Sequence, residues 1–378
     1  MHIDNNDDKR IIIRCAGEIG KKALEEYGDR VEYFCDDYTT ATEIEGVPVI
    51  STNELKKIHQ DYQVVIARKH FEQKIKLADE LKHQGIPIAI YGNHDKFGIP
   101  HRTIHIHGVY GELKYDFNDN DLIAEIDRIR AENTMAMYKK MFGVHGRDFE
   151  GKTLDIHICI DDDLQQAYEF AKVYDTGIYH AYSTVYALED VVIPIPDYRS
   201  CFDEEDYYYK DATPTVCREA ASKPYKDDRA FWIGSIFQSL SRKNLWIMSQ
   251  KYPEKLLVES SFDRKIPIYE MAKYKYLIDV RGLGWTDRIK SLLMLGRPLL
   301  MEDRTNIEWY MPYMTPMKEY VPIREDLSDL IEKIDFLNQN PEVYDNIVNN
   351  AKEFVQQYLM PEPILEYLRD VTLKYDVV

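Results

Sequence analysis

The segment "RIIIRCAGEIGKKALEEYGDRVEYFCDD", residues 10–37, constrains the fold of this chain most. Its unbroken Ile11-Ile12-Ile13 run reads as a strand covered on both faces, because a half-exposed strand would alternate apolar and polar residues. A tight turn at Gly17, a helix from about Ile19 and a second apolar strand ending at Asp36 and Asp37 complete a parallel strand-helix-strand unit. Strands in "VPVIS", "YQVVIAR" and "IPIAIYG" then alternate with helices in "TNELKKIHQ" and "KHFEQKIKLADELKHQG" to about residue 110. That pattern predicts one doubly wound α/β domain.

A charged helical stretch, "DNDLIAEIDRIRAENTMAMYKKMFG", leads to a new strand, "TLDIHICIDDD", and a helix, "LQQAYEFAKVY". A Tyr- and acid-rich loop, "DYRSCFDEEDYYYKDATPT", precedes a third α/β run made of "DRAFWIGS", "SRKNLWIMSQKY", "KLLVESS" and "KYKYLIDVRG". Three segments with apolar residues at helical spacing close the chain. With 378 residues, 44% of them hydrophobic, there is enough apolar material for two or three cores.

The net charge of −18 and the lack of a long Lys/Arg run argue against a nonspecific grip on nucleic acid, so an anionic ligand has to be met locally. Five scattered cysteines without a CxxC spacing point to reduced thiols and a cytoplasmic setting. No stretch approaches the roughly 18 apolar residues of a membrane span, which leaves peripheral docking at the inner membrane face open.

Four constellations carry candidate chemistry. Cys15-Ala16-Gly17-Glu18-Ile19-Gly20 is similar to a dinucleotide fingerprint whose first glycine is replaced by Cys15, and a structural turn is the favoured reading over a dinucleotide-sensing module. "YGNHD", "HRTIHIHG" and Asp155 to His157 resemble pieces of a metallophosphoesterase signature in the wrong order. His105 and His107 therefore read as half-buried imidazoles of a short strand, with no metal expected. Asp161, Asp162 and Asp163 follow the apolar strand "IHICI", where α/β sheets place ligands. One of them suffices to cap the next helix, which leaves two for a general base or for a metal on a nucleotide sugar.

The fourth is "DVRGLGWTDRIKSLLML", residues 279–295. Thr286 is a plausible N-cap, and Gly282 and Gly284 let the backbone approach a ligand. Arg288 and Lys290 then fall in the first helical turn, where cations oppose the macrodipole by about 0.3 to 1 kcal/mol each. A bound phosphate would remove that conflict.

In their order, these segments resemble glycosyltransferase family 90, which contains protein O-glucosyltransferases, capsule-associated xylosyltransferases and lipopolysaccharide-modifying enzymes. "AFWIGS" is similar to its aromatic-aromatic-Arg-Gly-Ser turn, and "AKYKYLIDVRGLGWTDRIKSLLMLGRPLL" to its strand, Arg-Gly loop and Ser-x-Arg-x-Lys helix. "IEWYMPYMTPMKEYVPIREDLSDL" continues the likeness. Ile233 stands in place of the motif's arginine, and Thr286 in place of its serine.

The resemblance implies a GT-B fold, with two Rossmann-like domains facing across a cleft, over residues 113–222 on the acceptor side and 223–378 on the nucleotide-sugar side. Residues 1–112 would be an added Rossmann-like module. It also implies inverting transfer from a UDP-sugar to a hydroxyl acceptor, such as a glycan or lipid-linked glycan of a bacterial surface, without a required cofactor or metal. Asp162, with Asp161 as neighbour, would be the base; Gly234, Ser235, Arg281, Gly282, Gly284, Thr286, Arg288 and Lys290 would border the diphosphate, and Glu308 the donor. The alternatives are a metal-dependent transferase using Asp161 and Asp163, and a nonenzymatic dinucleotide sensor built on the first module.

Overall fold

The computed structural model describes residues 9–68, 71–86, 88–90, 103–117, 125–160, 179–182, 184–185, 192–198, 210–282, 288–304 and 306–378. The expected α/β architecture is present as three main sheets.

The first sheet contains β1 (Arg10–Arg14), β2 (Val31–Cys35), β3 (Glu43–Ile44), β4 (Val47–Ile50), β5 (Tyr62–Ile66) and β6 (Ile88–Ile90), in the order β3-β4-β2-β1-β5-β6. All its pairs are parallel except β3 with β4. Ile11, Ile12 and Ile13 are fully buried. The two-residue strand period sends Ile12 into one apolar cluster and its two neighbours into another, which is why the run needs no polar member.

The turn after β1 is closed by the chain's own groups. Cys15 takes a φ of 88°, Asp36 accepts the Ala16 N–H at 2.9 Å, and the Cys15 Sγ accepts from Arg68 Nε at 2.9 Å. A side chain at position 20 would put its Cβ 2.2 Å from the Cys15 carbonyl oxygen, so Gly20 is required by close packing. These contacts agree with a structural turn.

The second sheet contains β7 (Thr103–Val109), β8 (Lys114–Phe117), β9 (Thr153–Cys159) and β10 (Tyr179–Ala181); after the short β11 (Thr184–Val185) it is completed by β12 (Val192–Pro194). The order is β12-β10-β9-β7-β8. β7 is antiparallel to both β8 and β9, and β10 is parallel to β9 and β12. Sheet membership thus changes between Ile90 and Thr103, and β7, grouped with residues 1–112 on the sequence pattern, hydrogen-bonds in the second sheet. Its partner β8 is a local hairpin strand, but β9 joins it from about fifty residues away, a pairing that periodicity does not encode.

One face of this sheet, with Ile104, Ile106, Ile156 and Ile158, joins the apolar cluster that also holds Tyr138 and Met141 of the helix Glu125–His145 and Leu365 and Leu368 of the helix Pro361–Tyr375. The chain end extends the sheet: Leu154 bridges Val377 in antiparallel fashion, and the Asp155 N–H donates to the Asp376 carbonyl at 2.9 Å.

The third sheet is parallel throughout. Its strands are β13 (Asp227–Gly234), β14 (Leu256–Ser260), β15 (Tyr274–Asp279), β16 (Leu299–Glu302) and, after β17 (Asn306–Ile307), β18 (Val321–Ile323), in the order β14-β13-β15-β16-β18. β17 instead pairs antiparallel with β11. Among the described residues no helix is long and apolar enough to cross a membrane. Cys15, Cys35, Cys159 and Cys217 are buried.

Candidate functional site

β13 and β15 are adjacent and parallel, so their C-terminal ends emerge side by side. Gly234 and Ser235 follow from the first, Arg281 and Gly282 from the second. Open α/β sheets place ligands at this edge. A Cβ at position 234 would lie 2.7 Å from the buried Trp232 ring, so the strand can leave the sheet there only as glycine.

Arg242, in the helix Leu240–Lys251, ties the two strand ends together. Its Nε donates to the Arg281 carbonyl at 3.0 Å and its Nη1 to the Ser235 carbonyl at 3.3 Å, with Gln238 also accepting. The helix is aimed there by its N-cap: Ser239 accepts from the Arg242 N–H and donates its hydroxyl to the Arg281 carbonyl at 2.8 Å. Burial and the neighbouring Arg288 pull the Arg242 pKa down to about 10, still well above neutrality.

Beneath these loops lies a layer of buried charge. Asp279, the last residue of β15, accepts from Arg288 Nε at 2.8 Å and Arg304 Nη2 at 2.6 Å. Burial alone would raise the Asp279 carboxyl, but the two guanidinium groups outweigh it and hold the pKa below 3.8. Arg288 also donates from Nη1 to the Ile233 carbonyl at 2.6 Å, and lies with Arg242 over the Trp232 ring at 5.6 and 5.4 Å from its centroid. Glu302, at the end of β16, accepts from the Arg281 N–H at 2.6 Å and from Ser241 Oγ at 2.5 Å; burial raises its pKa. The Arg281 side chain turns outward to Glu325 at 2.6 Å. Leu240, Ser241, Asn244, Arg281, Arg324 and Glu325 line an open cavity of about 430 Å³ beside it.

The two cations singled out in the sequence diverge. Arg288 occupies the N-cap position of the helix Ile289–Met294 and points at Asp279, whereas Lys290 is buried within that helix, close enough to Cys217 to act on its thiol. Burial and Asp211 nevertheless push that thiol up to about 12. Ile289, Leu292, Leu293 and Leu295 face the core as the spacing implied. Glu308 is buried, and its charge acts on Arg304 and on Tyr310. Asp161, Asp162, Asp163, Gly284, Trp285, Thr286 and Asp287 lie outside the described residues, as does "YGNHD".

Sequence reading missed Arg242, Asp279, Glu302 and Arg304. Asp279 and Glu302 did carry a signal, since each is an acid closing an apolar strand. The partners of Arg242 and Arg304 are set by tertiary packing. A second grouping also emerges: His105, Asp155 and His157, all half-buried, converge on one face of the second sheet.

The family model for Glycosyl transferase family 90 matches residues 165–377, more than half of the chain. Among curated proteins, the uncharacterized protein 179R of Invertebrate iridescent virus 6 is 32% identical over 137 residues, covering 34% of this chain and 12% of that protein. Protein O-glucosyltransferase 1 of Homo sapiens is 26% identical over 176 residues, covering 42% of this chain and 45% of its own length. The chain thus spans less than half the length of these relatives. Among solved structures, Anabaena Alr3699/HepE in complex with UDP aligns over 97% of this chain and all of that one, at 11% identity and a TM-score of 0.36. By the extent of the family match, and with its "AFWIGS" and Arg-Gly segments both inside the matched region, the chain belongs to glycosyl transferase family 90.

Proposed function

We propose that this chain is an inverting glycosyltransferase of GT-B architecture that moves a sugar from a UDP-sugar to a hydroxyl of a glycan or lipid-linked glycan, such as a bacterial surface-glycan precursor. One observation carries the reading: the Gly234-Ser235 and Arg281-Gly282 strand ends are held side by side by Arg242, at the sheet edge where a nucleotide diphosphate is met by backbone N–H groups and guanidinium charge. Protein O-glucosyltransferase 1 among the relatives supports the reaction class.

In this mechanism Asp162, with Asp161 beside it, takes the proton of the acceptor hydroxyl as its oxygen attacks the anomeric carbon. The bond to the UDP oxygen breaks, and the charge gathering on the diphosphate is stabilised by fixed donors from Arg242, Arg281, Arg288 and the backbone at Gly234, Ser235, Gly282, Gly284 and Thr286. Lys290 enters on the motif alone, and Glu308 would border the donor sugar. No metal or cofactor takes part in these steps.

Calorimetric titration with UDP, alongside a transfer assay with a panel of UDP-sugars, tests this. Asp162→Asn should abolish transfer while UDP still binds; retained turnover removes the assignment. Transfer that EDTA abolishes would point instead to a metal held by Asp161 and Asp163.

A further inference from the structure

The geometry points to a binding site for one divalent transition cation of the zinc class, made by His105, Asp155 and His157 on the face of the second sheet opposite its isoleucines, where all three are half-buried. Antiparallel pairing of β7 and β9 sets His105 directly opposite His157, and His107 opposite Asp155. Because side chains alternate across a strand, these four share one face, while Ile104, Ile106, Ile156 and Ile158 are fully buried on the other.

The arrangement brings the donor atoms together. The His105 and His157 rings stack at 4.2 Å between centroids with 6° between their planes, so their edges are aligned side by side. Asp155 Oδ1 lies 2.5 Å from His105 Nε2 and 3.5 Å from His157 Nε2. All three ligand atoms fall within 4.8 Å of one another. An ion bonded at about 2.0 to 2.2 Å to each requires separations of roughly 3 to 4 Å, which small rotations of these side chains supply. His107 is held off by its own carboxylate, Asp116, at 2.8 Å, and stacks on His105 at 4.6 Å as a wall of the site.

The donor set selects the ion. Two imidazole nitrogens and one carboxylate oxygen suit zinc, nickel or copper, whereas calcium and magnesium call for oxygen ligands. Side-chain exposures of 29% for His105, 44% for Asp155 and 13% for His157 place the cluster at the margin of the protein surface, with Asp155 its most exposed member. Three protein ligands leave a further coordination position for water or a small anion. The site lies on a different sheet from the proposed donor pocket and does not rest on the transferase reading.

The test uses the full chain stripped with a chelator. Zinc is titrated against a chromophoric competitor, and cobalt is added to report the ligand field by visible absorption. The wild type should take up one equivalent with a cobalt spectrum of nitrogen and oxygen ligands. Asp155→Asn and His157→Gln should each weaken zinc binding by at least about tenfold, while His83→Gln, at the exposed end of the helix Phe71–His83 and outside the cluster, leaves it unchanged. On the unmodified wild type, zinc should protect His105 and His157 from diethylpyrocarbonate, read peptide by peptide. The proposal is overturned if no equivalent binds, if both site variants bind as the wild type does, or if zinc protects other histidines instead.

Discussion

Arg288 Nε donates to Asp279 at 2.8 Å, and this contact anchors the cation that stood out in the sequence to a buried carboxylate shared with Arg304. Asp279 is fully buried, and a buried carboxylate persists in its charged form only when its partners replace the water it lost. Asp279→Asn keeps the shape but leaves two guanidinium groups facing a neutral amide. The expected loss is about 3 kcal/mol at pH 7, measured by urea unfolding.

The same pair sets an acid limb. A carboxyl whose folded pKa is depressed contributes stability that is complete above its unfolded value and is lost as pH falls through the folded one. For Asp279 the folded value lies below 3.8, because Arg304 and Arg288 outweigh the effect of burial. The stability gap between wild type and Asp279→Asn should hold from neutral pH down to about pH 4 and close at lower pH. A gap that closes near pH 6 would refute this account.

Arg242 offers a cleaner probe of the donor site, since its donors go to two backbone carbonyls on different strand ends. Lysine carries the charge but has no fork with which to reach both. Arg242→Lys should therefore lower UDP affinity by about tenfold, a cost near 1.4 kcal/mol, with Arg242→Ala weaker still. Unchanged titration curves for both variants would separate Arg242 from the nucleotide.

The elements were legible in the sequence wherever burial has a period. Ile11 to Ile13 announced a two-sided strand, and Leu292, Leu293 and Leu295 a core-facing helix, because these patterns follow from local geometry. The strand-end glycines Gly234 and Gly282 were legible through the motif. What stayed hidden was pairing: His105 meeting His157, Arg304 meeting Asp279, and His180 meeting Asp376 across 196 residues. Such contacts are chosen by topology, and one strand's composition says nothing about which strand will lie beside it.

His180 and Asp376 form the latch that holds the chain end to the second sheet. The imidazole Nε2 lies 2.8 Å from the carboxylate, both side chains are at most 2% exposed, and the Val378 N–H donates to the Thr153 carbonyl at 3.1 Å just beyond. Removing one member of a buried hydrogen-bonded pair strands the other. His180→Ala should cost about 3 kcal/mol and speed hydrogen exchange at Asp155 and Val378 ahead of the rest of the chain. Uniform exchange across all three sheets would deny the latch its local role.

Gly20 provides the matching test for the first sheet. The Cβ of an alanine would sit 2.2 Å from the Cys15 carbonyl oxygen, and because that neighbour is backbone the turn itself has to shift. Cys15 already holds a positive φ, and its thiol and the adjoining Ala16 N–H are committed to Arg68 and Asp36. Displacement therefore breaks contacts as well as packing. Gly20→Ala should destabilise the protein by about 1 to 3 kcal/mol, with early proteolysis confined to residues 9–90. UDP affinity should not change, because the strand ends joined by Arg242 belong to the third sheet. An affinity that falls with Gly20→Ala would instead tie the first sheet to the nucleotide.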